Sequence, residues 1–302
     1  MTTNSAVDGL VVVDKPAGWT SHDVVARCRK IFGQKRVGHA GTLDPDATGV
    51  LLVGLGRVTR LLRFLTDQPK SYECEVVLGV ATSTLDAAGD VVGEWDMSGV
   101  SPEDVAAAAL QFVGDIQQVP PMVSAVKIGG RRLHDLARAG VEVDRPARSV
   151  TVHRLDVTPT ASPLVYRMAV ECSSGTYVRT LAADLGAAMG GGAHLRHLRR
   201  TASGAFTVAD AVPLDAVGVE RVLSPVDAVR HLERVVVGDD VAADVAHGKV
   251  LAAAGSVGSG AGWPTEDDGP WAVVSATDGA LLAVYGRHPK DGARVKPEVV
   301  LA

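Results

Sequence analysis

The stretch VGHAGTLDPDATGVL, residues 37–51, sets two aspartates, a histidine and three glycines just ahead of the apolar run LVGL, residues 52–55. Polar, turn-forming residues that stop abruptly at an apolar run mark a loop feeding a buried strand. Gly38, Gly41 and Gly49 permit tight turns, and Pro45 fixes φ directly after Asp44. Asp44 therefore stands on a stiff corner at the mouth of a strand. A carboxylate so placed either hydrogen-bonds its own turn or serves as a nucleophile or base. Its immediate neighbours leave both readings open.

Upstream, Gly9 to Val13 reads as a buried strand stopped by the turn Lys15-Pro16-Ala17-Gly18. Ser21 is expected to cap a helix in which Val24, Val25, Cys28, Ile31 and Phe32 fall at helical spacing while Arg27, Arg29 and Lys30 face away, with Gly33 closing it. Downstream, YECEVVLG from Tyr72 alternates like a half-buried strand, and Ser101-Pro102-Glu103-Asp104 has the chemistry of a helix start. RRLHDLARAG predicts a short helix closed by Gly140. YRMAVECS puts Tyr166, Met168, Val170 and Cys172 on one strand face, and GTYVRTLAADLG reads as a turn into a helix. Helices and strands mixed without a regular βαβ repeat predict an α+β fold with a mostly antiparallel sheet.

After Ser224-Pro225 the texture changes to short strands and turns: ERVVVG, a helix VAADVAHG closed by Gly248, and WAVVSATDGALLAVYG with a hairpin turn at Asp278-Gly279. A boundary near Leu232 divides the chain into residues 1–232 and 233–302. GSVGSGAG, Gly255 to Gly262, lacks the Lys-Ser/Thr ending of a phosphate loop and reads as a flexible surface loop.

The 302 residues suit one large domain plus a small one, and 46% hydrophobic with 22% charged residues are globular values. The net charge of -5 argues against wholesale polyanion binding, but phosphates respond to local potential. Basic residues gather at Arg27, Arg29, Lys30, Lys35 and Arg36, at Arg57, Arg60 and Arg63, at Lys127, Arg131 and Arg132, and at Arg196, Arg199 and Arg200. One such cluster is an ordinary solvated face; four in an acidic protein point to an anionic ligand. Late acidic residues include Glu266, Asp267 and Asp268. Cys28, Cys74 and Cys172 are odd in number and without metal-ligand spacing, so neither a disulfide framework nor a zinc site is indicated. With neither a signal-peptide pattern nor an apolar run of ~20 residues, a soluble, cytoplasmic protein is expected.

Asp44-Pro45-Asp46-Ala47-Thr48 also matches the D-x-D-x-T pattern of aspartyl-nucleophile phosphatases. That chemistry needs an apolar strand immediately before the first aspartate and magnesium beside it, whereas VGHAGTL precedes it here. A second resemblance is far more extensive. GHAGTLDPDATGVL and GLGRVTRLLRFL, with DKPAGWTSHDVV before them and PPMVSAVKIGGRRLHDLARAG and SSGTYVRTLAADLG after, resemble the TruB family of pseudouridine synthases, in order over residues 9–206. ALLAVYG and the ending ARVKPEVVLA resemble the small PUA-like, β-rich RNA-binding domain of bacterial members.

The resemblance implies the pseudouridine synthase fold, with a central mixed sheet flanked by helices. It implies isomerisation of the T-loop uridine of tRNA (position 55 in tRNA numbering) to pseudouridine, without cofactor or metal. By the same resemblance Asp44 is the catalytic aspartate, Arg179 in GTYVRT its partner, and Tyr72 the aromatic that packs on the target base. Tyr177 and Leu198 line the uracil pocket, His39 lies on the RNA in place of a flipped nucleotide, and Lys15 with Arg199 contacts phosphates. A guanidinium beside a carboxylate keeps it ionised and aimed, and an aromatic face replaces lost base stacking. Without the resemblance Tyr72, Tyr177 and Leu198 would read as core packing and Arg179 as a surface arginine.

This chain departs from the pattern at Val123 and His134, where the family usually carries aromatics, which bears on local packing. Gly129 to Val143 is expected to be a mobile flap over the RNA. The expected partner is the tRNA T arm, bound by a monomer without guide RNA, although guide-dependent archaeal and eukaryotic relatives share the GTLDP-like motif. The rival reading is an RNA-folding module whose isomerase activity is incidental.

Overall fold

The computed structural model describes residues 6–124, 127–128, 130–138, 140–141, 143–253, 263–264 and 268–301. In chain order its elements begin β1 (Gly9–Lys15), α1 (Ser21–Phe32), β2 (Val37–Ala40), β3 (Thr48–Leu55), α2 (Leu62–Thr66), β4 (Lys70–Leu78), β5 (Val80–Thr82), β6 (Val91–Glu94), α3 (Pro102–Leu110) and β7 (Gly114–Gln118). They continue β8 (Lys127–Ile128), β9 (Arg131–Arg132), α4 (Leu133–Arg138), β10 (Arg148–Pro159), β11 (Val165–Cys172), α5 (Val178–Ala188), β12 (Ala193–Ser203), β13 (Phe206–Thr207) and β14 (Val212–Pro213). The chain ends with α6 (Pro225–Ala228), β15 (Arg234–Val237), α7 (Asp239–Ala246), β16 (Leu251–Ala252), β17 (Trp271–Ser275), β18 (Leu281–Arg287) and β19 (Arg294–Val300).

A ten-stranded sheet runs β14-β1-β3-β12-β4-β11-β10-β7, with β2 on β3 and β13 on β12. Among the described residues its parallel pairs are β1–β14 and β3–β12, so the sheet is mixed and mostly antiparallel, as the sequence predicts. Register places Arg200 of β12 opposite Gly49 of β3 on one side and Tyr72 of β4 on the other. The loop of residues 41–47 and the start of β4 thus meet at one end of the sheet.

Helix α1 buries Val24, Val25, Cys28 and Phe32 against Val11, Val13, Leu51 and Val53 of β1 and β3. Burying each of the valine and phenylalanine side chains contributes about 1.5–3 kcal/mol. Its cap is Thr20, one residue before the expected Ser21: Thr20 and Asp23 form a reciprocal capping box, and Gly33 closes the helix at φ 63°. Ser21 turns inward, where its hydroxyl accepts a hydrogen bond from Leu43 N at 2.9 Å. Helices α3 and α5 cover another part of the sheet, with Val105, Leu181 and Leu185 against Val76, Met168 and Val170.

The second sheet, β15-β17-β18-β19-β16, is the small C-terminal β-rich unit. β17 reads WAVVS and is buried on both faces. Trp271 and Val273 join a core with Tyr285, Val235 and Val245 of α7, whereas Ala272 and Val274 point the other way. There, with Leu281, Val284, Val299 and Leu301, they share one apolar layer with Leu10, Val12, Leu52, Leu65 and Phe206. Period-two alternation explains how one strand serves two cores.

Several expectations are corrected here. Arg57, Arg60 and Arg63 do not form an open anion patch: they donate to the carbonyls of Leu301, Val300 and Glu298, and Arg57 and Arg63 also pair with Asp8 and Glu298. Gly38 is an ordinary strand residue facing Leu62, while Gly41 and Gly49 hold φ of 88° and 99°. At Gly49 a Cβ would lie 2.2 Å from Arg200 O, so only glycine fits where β3 meets β12.

Cys28, Cys74 and Cys172 are free and buried. No helix among the described residues is long and apolar enough to cross a membrane. Gly255 to Gly262, Glu266 and Asp267 lie outside the described residues, as does the side chain of His134. The segment Gly129 to Val143 is described in part, as β9, which pairs with β8 just before it, and α4.

Candidate active site

Asp44 is held from both sides. Lys15 Nζ donates to the carbonyls of Pro45, Pro16 and Trp19 at 2.8, 2.9 and 2.6 Å, and Gly18 N donates to Pro45 O at 3.0 Å. Ser21 binds Leu43 on the other flank. Arg200 donates to the carbonyls of Gly41, Thr42 and Val50. Backbone groups of a loop pressed against a sheet need such partners, and here the partners fix a corner.

Arg179, in the first turn of α5 and 4% exposed, points at that corner. Its Nε lies 3.0 Å from Asp44 Oδ2 and its Nη2 3.3 Å from Oδ1, a two-pronged pairing. The same guanidinium donates to Thr84 O and Val123 O and sits 3.5 Å from Asp86 Oδ2. Burial pushes the Asp44 carboxyl above the ordinary carboxylate range; Arg179 pulls it down, and the Asp86 charge pushes it up.

Asp44 and Arg179 open onto a cavity of about 260 Å³, whose lining includes Tyr72, Tyr177, Leu198, Lys70 and Arg200. Tyr72 stands on β4 with its hydroxyl hydrogen-bonded by Arg200, and burial raises its pKa. Tyr177 precedes α5, where buried Gln118 clasps its backbone, accepting from Tyr177 N at 2.7 Å and donating to its carbonyl at 3.0 Å. Leu198 enters from a bulge in β12 between Arg196 and Arg199. At that bulge His197 takes φ 56°, and the extra residue re-aims the side chain.

The cavity brings together Asp44, Arg179, Tyr72, Tyr177 and Leu198. It does not include His39 or Lys15. His39 lies half-buried on β2, its ring edge-on to His22 with centroids 5.4 Å apart, and burial lowers its pKa. Lys15 is fully buried, and its ammonium is engaged by three carbonyls. Arg199 is likewise engaged, gripping both oxygens of Asp14 at 3.0 and 2.8 Å. Val123 meets the site through its carbonyl, a contact indifferent to the missing aromatic.

Sequence reading missed Asp86, Lys70 and Arg200 at this site. Asp86 accepts from Thr84 Oγ1 and Ala88 N, and LDAAGD looks like any surface turn. The one legible signal is Lys70 two residues before Tyr72 on a strand, which puts both side chains on one face. Among the described residues no group of three or more His, Cys, Asp and Glu is arranged to hold a metal ion.

A mixed sheet carrying a carboxylate–guanidinium pair above a slot of aromatic and aliphatic side chains defines the class. Solved structures share the architecture over 97% of this chain: a Cbf5-Nop10-Gar1 complex with a TM-score of 0.71 and 28% identity, covering 83% of that chain, and an H/ACA RNP bound to a substrate RNA containing 2'-deoxyuridine, with 0.70 and 26%, covering 85%. This is the fold of the pseudouridine synthases. Residues 29–178 match the model of the TruB family pseudouridylate synthase N-terminal domain, and residues 179–242 that of the tRNA pseudouridylate synthase B C-terminal domain. Proteins named tRNA pseudouridine synthase B are similar to it: that of Bacillus pumilus is 40% identical over 98% of both chains, and that of Symbiobacterium thermophilum 51% identical over 81% of this chain and 83% of its own. The chain belongs to the TruB family of pseudouridylate synthases.

Proposed function

We propose that this chain isomerises uridine 55 in the T loop of tRNA to pseudouridine, with Asp44 as the nucleophile. The observation that carries the reading is the Asp44 carboxylate, gripped by Arg179 at 3.0 Å, at the mouth of a cavity lined by Tyr72, Tyr177 and Leu198. The names of its relatives support tRNA as the substrate. A base inside a folded loop is out of reach, so the uridine must be flipped into the cavity, where Tyr72 replaces the lost stacking. The bond from N1 of uracil to ribose then breaks, the base turns, and C5 takes the place of N1. Asp44 either adds to the base or sugar, or assists elimination to a glycal; Arg179 keeps it ionised and aimed for each route.

Residues 1–232 carry this chemistry and 233–302 extend the RNA-binding surface, in a monomer that needs no guide RNA. His39 faces the RNA outside the cavity, and its ring occupies the space left by a displaced nucleotide.

The test is tritium release from 5-tritiated uridine in a T-arm stem-loop, with the purified chain in EDTA, for the native sequence and Asp44→Asn. The expected result is release by the native chain and none from Asp44→Asn, with stem-loop affinities within about threefold of each other. Binding by both without release from either would leave an RNA-folding module and overturn the proposal.

A further inference from the structure

The lining of the Asp44 cavity carries two cations that the aspartate–arginine pair does not use. Lys70 and Arg200 are 5% and 1% exposed, and both line the cavity. They are neighbours: a Cβ built on Gly41 would lie 3.5 Å from Arg200 Nη1 and 3.8 Å from Lys70 Cε. Among the described residues neither forms an ion pair. Lys70 Nζ donates to the carbonyls of Thr66 and Gln68, and Arg200 to those of Gly41, Thr42 and Val50 and to the Tyr72 hydroxyl. An ammonium has three N–H groups and a guanidinium five, so each keeps a donor in reserve.

Two like charges buried side by side are costly unless an anion joins them. The cost is visible at Lys70, which burial, then Arg200, pushes down to about 8 against the pull of Asp67. Holding backbone carbonyls does not require a charge, since neutral donors do it with less desolvation. Arg179 is already neutralised by Asp44 and Asp86. The net positive charge of the cavity therefore comes from Lys70 and Arg200.

We infer that Lys70 and Arg200 form the anion site for the detached base, holding the negative charge that uracil carries between bond cleavage and rejoining. The inference rests on the reaction proposed above and names what that site recognises. When N1–C1′ breaks, the electron pair stays on N1, and the base carries one negative charge spread over N1 and its carbonyl oxygens. The pair is given back when C5 bonds C1′; C5 then releases its proton to solvent and N1 takes one up. Atoms and electrons balance without a co-reactant. Preorganised donors aimed at charge that appears only during the reaction lower its barrier without strengthening ground-state binding.

The test compares native, Lys70→Gln and Lys70→Arg chains in single-turnover conversion of T-arm stem-loops carrying uridine or 5-fluorouridine, scored by chromatography of the digested RNA as loss of the starting nucleoside, because a rejoined 5-fluoro base has no proton on C5 to release. Fluorine draws charge from the ring and lets the base depart more easily as an anion. Lys70→Gln keeps a donor for the carbonyls but drops the charge. The expected result is a loss of about 10²- to 10³-fold on uridine, at least tenfold smaller on 5-fluorouridine, with stem-loop affinity within about threefold and partial recovery by Lys70→Arg.

Equal slowing on both bases would make Lys70 a structural cap and overturn the inference. So would a loss of affinity that accounts for the whole effect, which would mark a phosphate contact. Should Lys70→Gln fail to melt cooperatively, Lys70→Arg decides: it must hold the uridine rate within about tenfold, and a larger loss, equal on both bases, overturns the inference. Conversion of neither RNA by the native chain defeats the proposed function itself, whereas equal conversion by native and Lys70→Gln defeats this inference alone.

Discussion

At the scale of single residues, the proposed chemistry needs Asp44 ionised while its surroundings resist that. Its carboxyl sits above the ordinary range, from burial first, so the acid limb of kcat/KM should lie above the ~3.9 of a free aspartate. The neighbours tune it in opposite senses. Asp86→Asn removes a charge that raises Asp44, and the limb should move down; Arg179→Gln removes the main charge that lowers it, and the limb should move up as the rate falls. Tritium release measured against pH for the three chains checks both signs. A carboxyl raised on folding adds stability below its unfolded pKa and loses it as pH rises through the folded value. Asp44→Asn should therefore melt higher than the native chain at neutral pH, with the gap closing in acid.

Lys15 makes the complementary case. As a backbone cross-link its loss takes the ammonium from the carbonyls of Pro16 and Trp19 and leaves Pro45 O with Gly18 N alone, so Lys15→Met should cost about 2–4 kcal/mol in chemical denaturation. The salt dependence of stem-loop binding should stay that of the native chain, whereas loss of a phosphate contact would flatten the slope by about one unit.

At the scale of elements, the bulge in β12 does what an unbroken strand could not. It lets Arg200 pair with both β3 and β4 while Leu198 enters the cavity. The bulge depends on His197 at φ 56°, with its side chain 75% exposed. His197→Gly should keep activity and stability to within about 1 kcal/mol, while a β-branched His197→Val should cost about 1–2 kcal/mol and slow turnover by displacing Leu198. Thermal melts and single-turnover rates on the two variants separate the outcomes.

The same elements show what was legible beforehand. The strand at Gly9, the helix closed by Gly33, the hairpin at Asp278-Gly279 and the Asp44 corner were readable because turn chemistry and periodicity are local. The extra residue of the bulge, the partners of Arg200 and the place of Asp86 come from register between strands far apart in the chain, which local spacing does not carry. Thr20 and Ser21 are both good caps, and only packing against Leu43 decides that Ser21 turns inward. The arginine clusters misled for a related reason: Arg57, Arg60 and Arg63 look free until the last strand, over two hundred residues on, returns its carbonyls to them.

At the scale of the whole molecule, that return makes the C-terminal sheet part of the frame behind the site. Leu52 of β3, the strand that follows Asp44, packs in the same layer as Ala272, Val284 and Leu301, and Arg57 ties that layer to Asp8 near the other end of the chain. An attachment through one apolar layer and a row of charged hydrogen bonds does not behave as a tethered module. The full chain should therefore unfold in a single calorimetric transition. Ending the chain after Leu232 should do more than weaken RNA binding: uncovered Leu10, Val12, Leu65 and Phe206 form a contiguous apolar face, so the fragment should bind hydrophobic dyes and aggregate. If the fragment instead stayed monomeric and released tritium at the native rate, the shared layer would be incidental to the Asp44 corner, and β1 and β3 would hold it on their own.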